Sequence, residues 1–286
     1  MILVLGGKGK TGRKVAERLT TRGKSVRIGS RNEAPPFDWE APETWAAAIA
    51  GTDTVYITFQ PDLAVPGARE AVEGFTSQAV DGGIRKMVLL SGKGEKEAEL
   101  CEQVVINSGA DWTIVRASWF NQNFSESFFL DPILAGHVAL PRSEALVPYV
   151  DTNDIADVVV EALLDARHVG QTYELTGPRL MTFPQVIQEI STVTGRDIAF
   201  TSITMDEYEK MLREFQVPED YIWLIRYLFT EVLVASNSVV TDDIQKVLGR
   251  QPRDFTEYAR ETAESGVWNP VSQADTNGVK KREVVS

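Results

Sequence analysis

The sequence predicts an α/β protein built on a doubly wound parallel sheet, with a smaller, mainly helical region toward the C-terminus. Three observations indicate this fold. Short apolar runs alternate with amphipathic helical patterns over residues 1–116. A glycine-rich turn separates the first apolar run from the first helical pattern. Beyond residue 180 the patterns are mostly helical.

The strands and helices follow from hydrophobic periodicity and from the turn residues that end each run. The predicted strands are Ile2–Leu5, Ser25–Ile28, Thr54–Phe59, Lys86–Leu90, Trp112–Arg116 and Tyr173–Leu175. The predicted helices are one that includes Val15 and Leu19, then Thr44–Ile49, Ala68–Val80, Glu97–Asn107 and one from Asp154. Strands that alternate with helices are typical of a parallel sheet covered by helices.

Composition and charge exclude several classes of function. The 286 residues carry a formal net charge of −12, which disfavours nucleic acid and anionic membranes, since phosphate binding requires a basic face. No run of about 18 apolar residues could span a bilayer, and no secretory signal follows Met1. One cysteine and two histidines leave too few ligands for a zinc site. We therefore expect a cytoplasmic protein without a metal; a homodimer stays open.

The glycine-rich turn has the residues of a pyrophosphate-binding loop. Gly6, Gly9 and Gly12 form a G-x-x-G-x-x-G spacing after the strand Ile2–Leu5. The first glycine allows a positive φ, the second leaves room for the pyrophosphate, and the third lets helix and strand pack closely. The start of the helix offers unpaired N–H groups to the phosphates. A Rossmann-like dinucleotide-binding domain is therefore predicted, with a ligand-free turn as the alternative. The expected loop contacts are Gly6, Lys8, Gly9, Lys10, Thr11 and Gly12.

The end of the second strand favours NADP over NAD. An NAD enzyme usually has an acidic residue there that binds the ribose 2′-hydroxyl. Ser30 and Arg31 instead offer a hydroxyl and a guanidinium, which suit a 2′-phosphate. Because arginine is common at any exposed strand end, NAD stays possible. Asp38 is predicted to lie near the adenine, with a solvated turn residue as the alternative.

Six segments of the chain, spread from Met1 to about Trp268, resemble the NmrA-like branch of the atypical short-chain dehydrogenases/reductases. Within that branch the chain is most similar to the group that contains the fungal ergot-alkaloid reductases. The segments are G-G-K-G-K-T-G at 6–12, F-D-W at 37–39, D-W-T-I-V-R-A-S-W-F-N-Q-N-F at 111–124, V-P-Y-V-D-T-N-D-I-A-D-V at 147–158, Y-E-L-T-G-P at 173–178 and L-G-R-Q-P-R-D-F at 248–255. Those of the second half are the more specific, because they recur in order and at plausible spacing.

The resemblance implies a sheet that binds NADP(H) or NAD(H) and a smaller substrate region. By position, it implies that Phe59, Gln60 and Pro61 border the adenosine ribose, and that Ser91 and Gly92 border the nicotinamide. The substrate contacts it implies are Trp119, Phe120, Asn121 and Asn123.

Three regions are expected along the chain. Residues 1–150, with contributions from 151–178, are predicted to form the cofactor domain, and 179–270 the substrate-binding region. The polar, unpatterned segment 271–286 is predicted to be a disordered tail.

The chain lacks the Tyr-x-x-x-Lys pair that supplies the proton in most short-chain dehydrogenases. In that pair the lysine lowers the pKa of the tyrosine, which then protonates the reduced carbonyl. None of the seven tyrosines has a lysine four residues later. Alignment of strand 111–116 with the equivalent strand of the family places Gly94 and Ala98 where the tyrosine and the lysine would stand. The sequence therefore assigns no catalytic residue.

Without that donor, electron-poor conjugated acceptors are favoured. A simple alkoxide product is strongly basic, whereas a reduced quinone is a stabilised phenolate and a reduced iminium is a neutral amine. We expect an NAD(P)H-dependent reductase of a planar aromatic or cationic small molecule, such as a quinone, an aromatic polyketide or an iminium, in secondary-metabolite and antibiotic biosynthesis. The alternatives are a housekeeping quinone reductase and a non-catalytic NAD(P)-binding sensor of the NmrA type.

Several titratable side chains receive mainly structural interpretations. Asp154 is predicted to cap its helix, and Asp151 is a minor candidate for substrate contact. Glu102 and its acidic neighbours are predicted to form a solvated helix face. Cys101 has no basic neighbour in the sequence and is expected to be unreactive.

Overall fold

The computed structural model describes residues 1–270, which fall into two compact units. The first unit comprises Met1–Ser118, Thr152–Thr176 and Thr241–Gln251. The second comprises Trp119–Asp151, Gly177–Val240 and the chain from Pro252 onward. The predicted disordered tail, 271–286, lies outside the described residues.

Strands and helices are numbered along the whole chain. The strands are β1 (Ile2–Leu5), β2 (Val26–Gly29), β3 (Thr54–Ile57), β4 (Lys86–Gly92), β5 (Asp111–Ala117), β6 (His137–Leu140), β7 (Gln171–Leu175) and β8 (Ala199–Ser202). The α-helices are α1 (Gly12–Thr21), α2 (Trp45–Ile49), α3 (Ala68–Asp81), α4 (Lys96–Ile106), α5 (Leu130–Ala135), α6 (Thr152–Leu164), α7 (Phe183–Thr194), α8 (Met205–Glu214), α9 (Glu219–Tyr227), α10 (Asp243–Leu248) and α11 (Phe255–Glu264).

The first unit is built on a six-stranded parallel sheet in the order β2-β1-β3-β4-β5-β7. Helices α1, α6 and α10 pack together, and α2, α3 and α4 pack together as a second group. Successive strand residues point to opposite faces of a sheet. Leu3 and Leu5 belong to the core that packs against the second group of helices. Val4, between them, points to the opposite face and is equally buried, so both faces of the sheet are covered. The doubly wound, Rossmann-like fold is confirmed.

The second unit has an aromatic core. Its largest fully buried rings are Phe124, Phe129, Phe183, Phe229 and Trp268. The indole N–H of Trp268 donates to the carbonyl oxygen of Phe124 at 2.8 Å. Strands β6 and β8 form a parallel pair in this unit, and the sequence analysis predicts neither of them. Both are four residues long, and β8 is mostly exposed, so its side chains give no burial pattern.

Residues 119–151, which the sequence analysis groups with the cofactor domain, lie in the second unit. The reason is their backbone pairing. Phe120 bridges Val150, and Val147 bridges Met181, so these residues are paired within the second unit.

Three features of residues 1–270 bear on classes of function. None of their helices combines the length and the apolarity that crossing a membrane requires. The same residues hold no group of three His, Cys, Asp or Glu side chains that could bind a metal ion. Cys101 is buried, and burial raises the pKa of its thiol to about 12, which keeps the thiol protonated and unreactive.

Candidate functional site

The loop between β1 and α1 has the geometry of an anion cradle. Gly6 has a φ of +60°, and its carbonyl oxygen accepts a hydrogen bond from the Gly9 N–H at 2.8 Å. A Cβ atom at Gly12, the first residue of α1, would lie 2.1 Å from that carbonyl oxygen. Helix α1 therefore begins directly beside the end of β1, so that its N-terminus lies at the edge of the sheet where a phosphate can bind. The loop fits the pyrophosphate of a dinucleotide.

Gly9 differs from Gly12 in having room around it. A Cβ atom at Gly9 would lie 3.3 Å from the Gly6 oxygen and 3.5 Å from Nε2 of Gln60. These contacts are tight but do not overlap, so the fold itself does not exclude a side chain there. Gln60 follows β3, and the strand order reverses at β1 and β3. Ligands of such sheets bind at the carboxyl ends of the strands at this reversal.

Two side chains of the loop are held by specific partners. Nζ of Lys8 lies 2.7 Å from a carboxylate oxygen of Glu33, in the segment after β2. The Tyr56 hydroxyl donates to Oγ1 of Thr11 at 3.0 Å. Burial raises the pKa of Tyr56, so this hydroxyl stays a donor. Lys10 is partly exposed.

The residues predicted to contact the 2′ end of the adenosine lie directly after β2. The carbonyl oxygen of Ser30 accepts hydrogen bonds from the N–H groups of Glu33 and Phe37, at 3.2 and 3.0 Å. Arg31 is exposed, and its guanidinium makes no ion pair or hydrogen bond with any other residue between Met1 and Pro270. A 2′-phosphate contact by Ser30 and Arg31 stays a prediction.

The F-D-W segment at 37–39 is anchored by its aromatic residues. Phe37 is buried, and the Trp39 indole donates to the carbonyl oxygen of Thr58 at 3.0 Å. A carboxylate oxygen of Asp38 accepts from the Glu40 N–H at 3.1 Å. Asp38 therefore shapes a local turn, and its predicted contact with adenine is untested.

Glu102 does not lie on a solvated face, and that expectation is wrong. Its carboxylate is 1% exposed. It accepts hydrogen bonds from the Ser91 hydroxyl at 2.6 Å and from Nη2 of Arg116 at 2.7 Å. The helix turns this acid inward because Arg116, from β5, supplies a matching positive charge. Ser91, a predicted neighbour of the nicotinamide, thus has its hydroxyl engaged with Glu102.

A second buried acid, Glu95, lies at the same edge and was not selected from the sequence. Glu95 is 8% exposed, and its carboxyl group lies beside that of Asp62, which follows β3. A Cβ atom at Gly92 would lie 1.9 Å from Oε1 of Glu95, so the carboxyl group lies against the end of β4. The only sequence signal was the glycine at 92, which leaves space for this carboxyl group.

In the second unit, Asn121 is the most unusual of the predicted substrate contacts. Its side chain is fully buried, yet neither Oδ1 nor Nδ2 has a hydrogen-bond partner within the described part of the chain. Its backbone N–H donates to the carbonyl oxygen of Val150 at 2.9 Å, which fixes its position. Phe120 and Asn123 are half-buried.

Trp119 packs as part of the aromatic core of the second unit. It is half-buried, and its ring centroid lies 5.8 Å from that of Phe183 and 5.4 Å from that of Phe229. Both pairs are edge-to-face, a favourable geometry for aromatic rings. Core packing therefore accounts for much of its surface, and its contact with substrate stays a prediction.

Asp151 and Asp154 have structural partners. Helix α6 begins at Thr152, so Asp154 lies in its first turn and the predicted capping role is wrong. The buried carboxylate of Asp154 lies 2.7 Å from a guanidinium nitrogen of Arg250. In the second unit, Asp151 accepts a hydrogen bond from the Gln122 amide at 3.1 Å.

Comparison with known proteins identifies related families and proteins. The profile of the NmrA-like family matches residues 98–259, and that of the NAD(P)H-binding family matches residues 6–166. Prestalk A differentiation protein A of Dictyostelium discoideum is 30% identical over 91% of this chain and 92% of its own length. Festuclavine dehydrogenase of Aspergillus fumigatus is 26% identical over 91% of this chain and 97% of its own.

A similar fold occurs in a solved structure of an NADPH-dependent quinone oxidoreductase from Escherichia coli in complex with NADPH. The TM-score is 0.76, over 91% of this chain and 99% of that protein, at 16% identity. At this identity the likeness concerns the fold alone.

The different surroundings of Gly9 and Gly12 generate a test of the loop. Gly9→Val is expected to fold with a smaller loss of stability than Gly12→Ala, because its Cβ is tight against the Gly6 oxygen but does not overlap it. It should lose the thermal shift that NADPH produces, since the branched side chain fills the space that the pyrophosphate needs. Gly12→Ala should instead lose about 1–3 kcal/mol of stability through its clash with backbone. An undiminished NADPH shift in Gly9→Val would show that the loop does not hold the cofactor.

Proposed function

The chain belongs to the NmrA-like family and binds NAD(P)H, and we propose that it is a reductase that transfers hydride from NADPH to a planar conjugated acceptor. The observation that carries the proposal is the cradle in which α1 starts beside β1, with no room for a Cβ atom at Gly12. The name of one relative, a festuclavine dehydrogenase, supports a reductase. We also propose that this reduction is a step in secondary-metabolite biosynthesis.

The cofactor would extend along the carboxyl edge of the sheet in the first unit. Gly6, Gly9 and the first N–H groups of α1 would hold the pyrophosphate. Ser30 and Arg31 would bind the 2′-phosphate, which makes NADP the preferred form. When bound, the nicotinamide supplies a hydride. The residues proposed to border the rest of the cofactor are Lys8, Lys10, Thr11, Asp38, Phe59, Gln60, Pro61, Ser91 and Gly92.

The acceptor would be oriented by residues that follow β5, chiefly Asn121. A buried amide without hydrogen-bond partners costs about 1–3 kcal/mol of folding stability. A protein can retain such a group when the group has a binding role. The Asn121 side chain offers an NH2 group that donates and a carbonyl oxygen that accepts, either of which suits a carbonyl or hydroxyl group of the acceptor. Trp119, Phe120 and Asn123 would provide flat or polar surface around it.

The proposed acceptor class rests on two residues, one just before α4 and one within it. Gly94 and Ala98 occupy the positions where the tyrosine and lysine would stand, and Ala98 is fully buried. No tyrosine–lysine pair is therefore present there to stabilise a localised alkoxide. A quinone or an iminium places less demand on the protein, because its reduced form is a delocalised phenolate or a neutral amine.

Arg31→Asp is expected to shift cofactor preference from NADP toward NAD. A guanidinium that binds a 2′-phosphate is replaced by a carboxylate that repels it and can bind a ribose 2′-hydroxyl. The ratio of the two dissociation constants should change by about 10- to 100-fold, the size expected for a charged hydrogen bond. The exposed Lys24→Asp is the control with the same change in charge. An unchanged ratio of dissociation constants in Arg31→Asp would show that Arg31 does not contact the 2′-phosphate.

The acceptor class is tested by an anaerobic assay with stoichiometric NADPH. A planar quinone and a cyclic iminium should be reduced, and simple aliphatic ketones should be left unreacted, as judged by product analysis. Reduction of ketones but not of quinones would contradict the proposed chemistry. If no acceptor is reduced, the non-catalytic sensor becomes the better interpretation.

Asn121→Leu should separate stability from acceptor binding. Leucine removes an unpartnered buried amide at similar volume, so the free energy of unfolding should rise by about 1 kcal/mol. The KM for the quinone should rise at the same time, while the NADPH thermal shift stays unchanged. Asn107→Leu, at an exposed position just after α4, is the control with the same change of side chain. A loss of stability in Asn121→Leu would mean that the fold itself uses this amide.

A further inference from the structure

We propose that Asp62 and Glu95 form a carboxyl pair that holds one proton, and that Glu95 gives this proton to the reduced acceptor. The inference rests on the proposed function and names the proton donor that the missing Tyr-x-x-x-Lys pair would have supplied. It is carried by the position of the pair, by the burial of Glu95 and by the closeness of the two carboxyl groups.

The pair lies at the edge of the sheet where the cofactor is expected. Strands β3 and β4 are parallel neighbours, with Ile57 opposite Leu89, and Asp62 and Glu95 follow their carboxyl ends. Dinucleotides bind along this edge in Rossmann-like sheets. The Glu95 carboxyl lies against Gly92, where a Cβ atom would overlap its Cδ at 2.1 Å. Glu95 therefore lies where the resemblance places the nicotinamide.

Glu95 has no evident structural task at this position. It precedes α4 as the N-cap residue, yet its side chain makes no capping hydrogen bond. The carboxyl group is turned back toward Gly92 and Asp62 instead. A buried acid that neither caps its helix nor forms an ion pair with the described residues is costly unless it is protonated.

The closeness of the two acids favours a shared proton. An ionised carboxylate only accepts hydrogen bonds, so two carboxylates cannot bond to each other. Burial raises the pKa of Glu95, and the neighbouring Asp62 raises it further. Burial likewise raises the pKa of Asp62, although the N–H of Ala64, which donates to Asp62 at 2.8 Å, acts in the opposite direction. The pair thus keeps one proton at a pH where a lone carboxyl would have lost it, and it titrates as a unit.

The charges around the pair come from the loops and helices packed beside it. Glu102 adds negative charge and raises the pKa of Glu95 further, but Arg116 forms an ion pair with Glu102 at 2.7 Å. The titratable and charged side chains of these elements include Arg69, Glu70, Lys93, Lys96, Glu97, Glu99, Cys101, Glu102 and Arg116. The partially protonated pair therefore carries a single net negative charge of its own.

The proposed step balances for a quinone. The quinone gains a hydride with its electron pair from NADPH, which is oxidised to NADP⁺. The O–H bond of Glu95 breaks, and its proton forms the O–H bond of the hydroquinone. Two ionised carboxylates remain, and the half-buried Asp62 regains a proton from solvent. An iminium takes only the hydride and needs no proton.

The charge of the pair also favours particular acceptors. A tyrosine–lysine pair presents positive charge to the oxyanion, whereas this pair presents negative charge. A localised alkoxide next to it is disfavoured, a delocalised phenolate is tolerated, and a cationic iminium is attracted. The charge of the pair therefore supports the cationic acceptors of the proposed class most directly.

Glu95→Gln tests the donor, because glutamine keeps the shape and the net charge of the protonated side chain but has no proton to give. We expect kcat/KM for the quinone to fall about 10²-fold, with turnover of the iminium and the NADPH thermal shift unchanged. Glu97→Gln, on the exposed side of the same helix, is the control and should match the parent.

The pH profile gives a second readout. The protonated pair is the active form, so quinone turnover should be present at low pH and decline as pH rises through the raised pKa of the pair. Asp62→Asn removes the neighbouring charge that raises the pKa of Glu95, so the decline should move to lower pH. Infrared difference spectra of the parent against Glu95→Gln at neutral pH should show the carbonyl band of a protonated carboxyl, without any turnover.

The outcomes separate the two proposals. Parent-like quinone turnover in Glu95→Gln, or equal losses with quinone and iminium, overturns the donor role and leaves the reductase intact. Absence of the protonated-carboxyl band in the parent overturns the shared proton whether or not the protein is active. A parent that reduces no acceptor overturns the proposed function itself, and the donor role with it.

Discussion

The first unit depends on one close backbone contact, between the start of α1 and the loop that follows β1. Because Gly12 has no Cβ atom, its backbone lies where a side chain would come within 2.1 Å of the Gly6 oxygen. The contact sets the direction of α1, whose Val15 and Leu19 are then completely buried. It also places the first N–H groups of the helix at the carboxyl edge of the sheet. Core packing and the proposed binding of the pyrophosphate therefore rely on the same missing Cβ atom.

Local signals account for what the sequence could predict. The strands of the sheet are apolar runs between turn residues, and the loop is defined by the spacing of its glycines, so both are visible within about ten residues. Strand β8 is mostly exposed, and no local pattern distinguishes it from a loop. The burial of Glu102 was missed for a different reason. Its partner, Arg116, comes from β5, and nothing near Glu102 in the sequence indicates that a cation will meet it.

The candidate site was predictable to the same limited extent. The glycine loop was found from its spacing, and Asn121 through resemblance, but the absence of partners for the Asn121 amide follows only from the packing of the second unit. Asp62 and Glu95 each look like an ordinary surface acid, one after a proline and the other at the start of an acidic helix. They meet because β3 and β4 are neighbours, which depends on the strand order rather than on either local sequence.

Glu95 and Glu102 show how one helix can use two buried acids differently. Both belong to the segment that opens or forms α4, and both are less than one-tenth exposed. Glu102 meets the guanidinium of Arg116 and the hydroxyl of Ser91, so its charge is compensated within the fold. Glu95 meets another acid, and the cheapest compensation for that arrangement is a proton. A compensated charge holds β4, β5 and α4 together, whereas a shared proton can leave. Of the two, only Glu95 therefore has the physical properties of a donor.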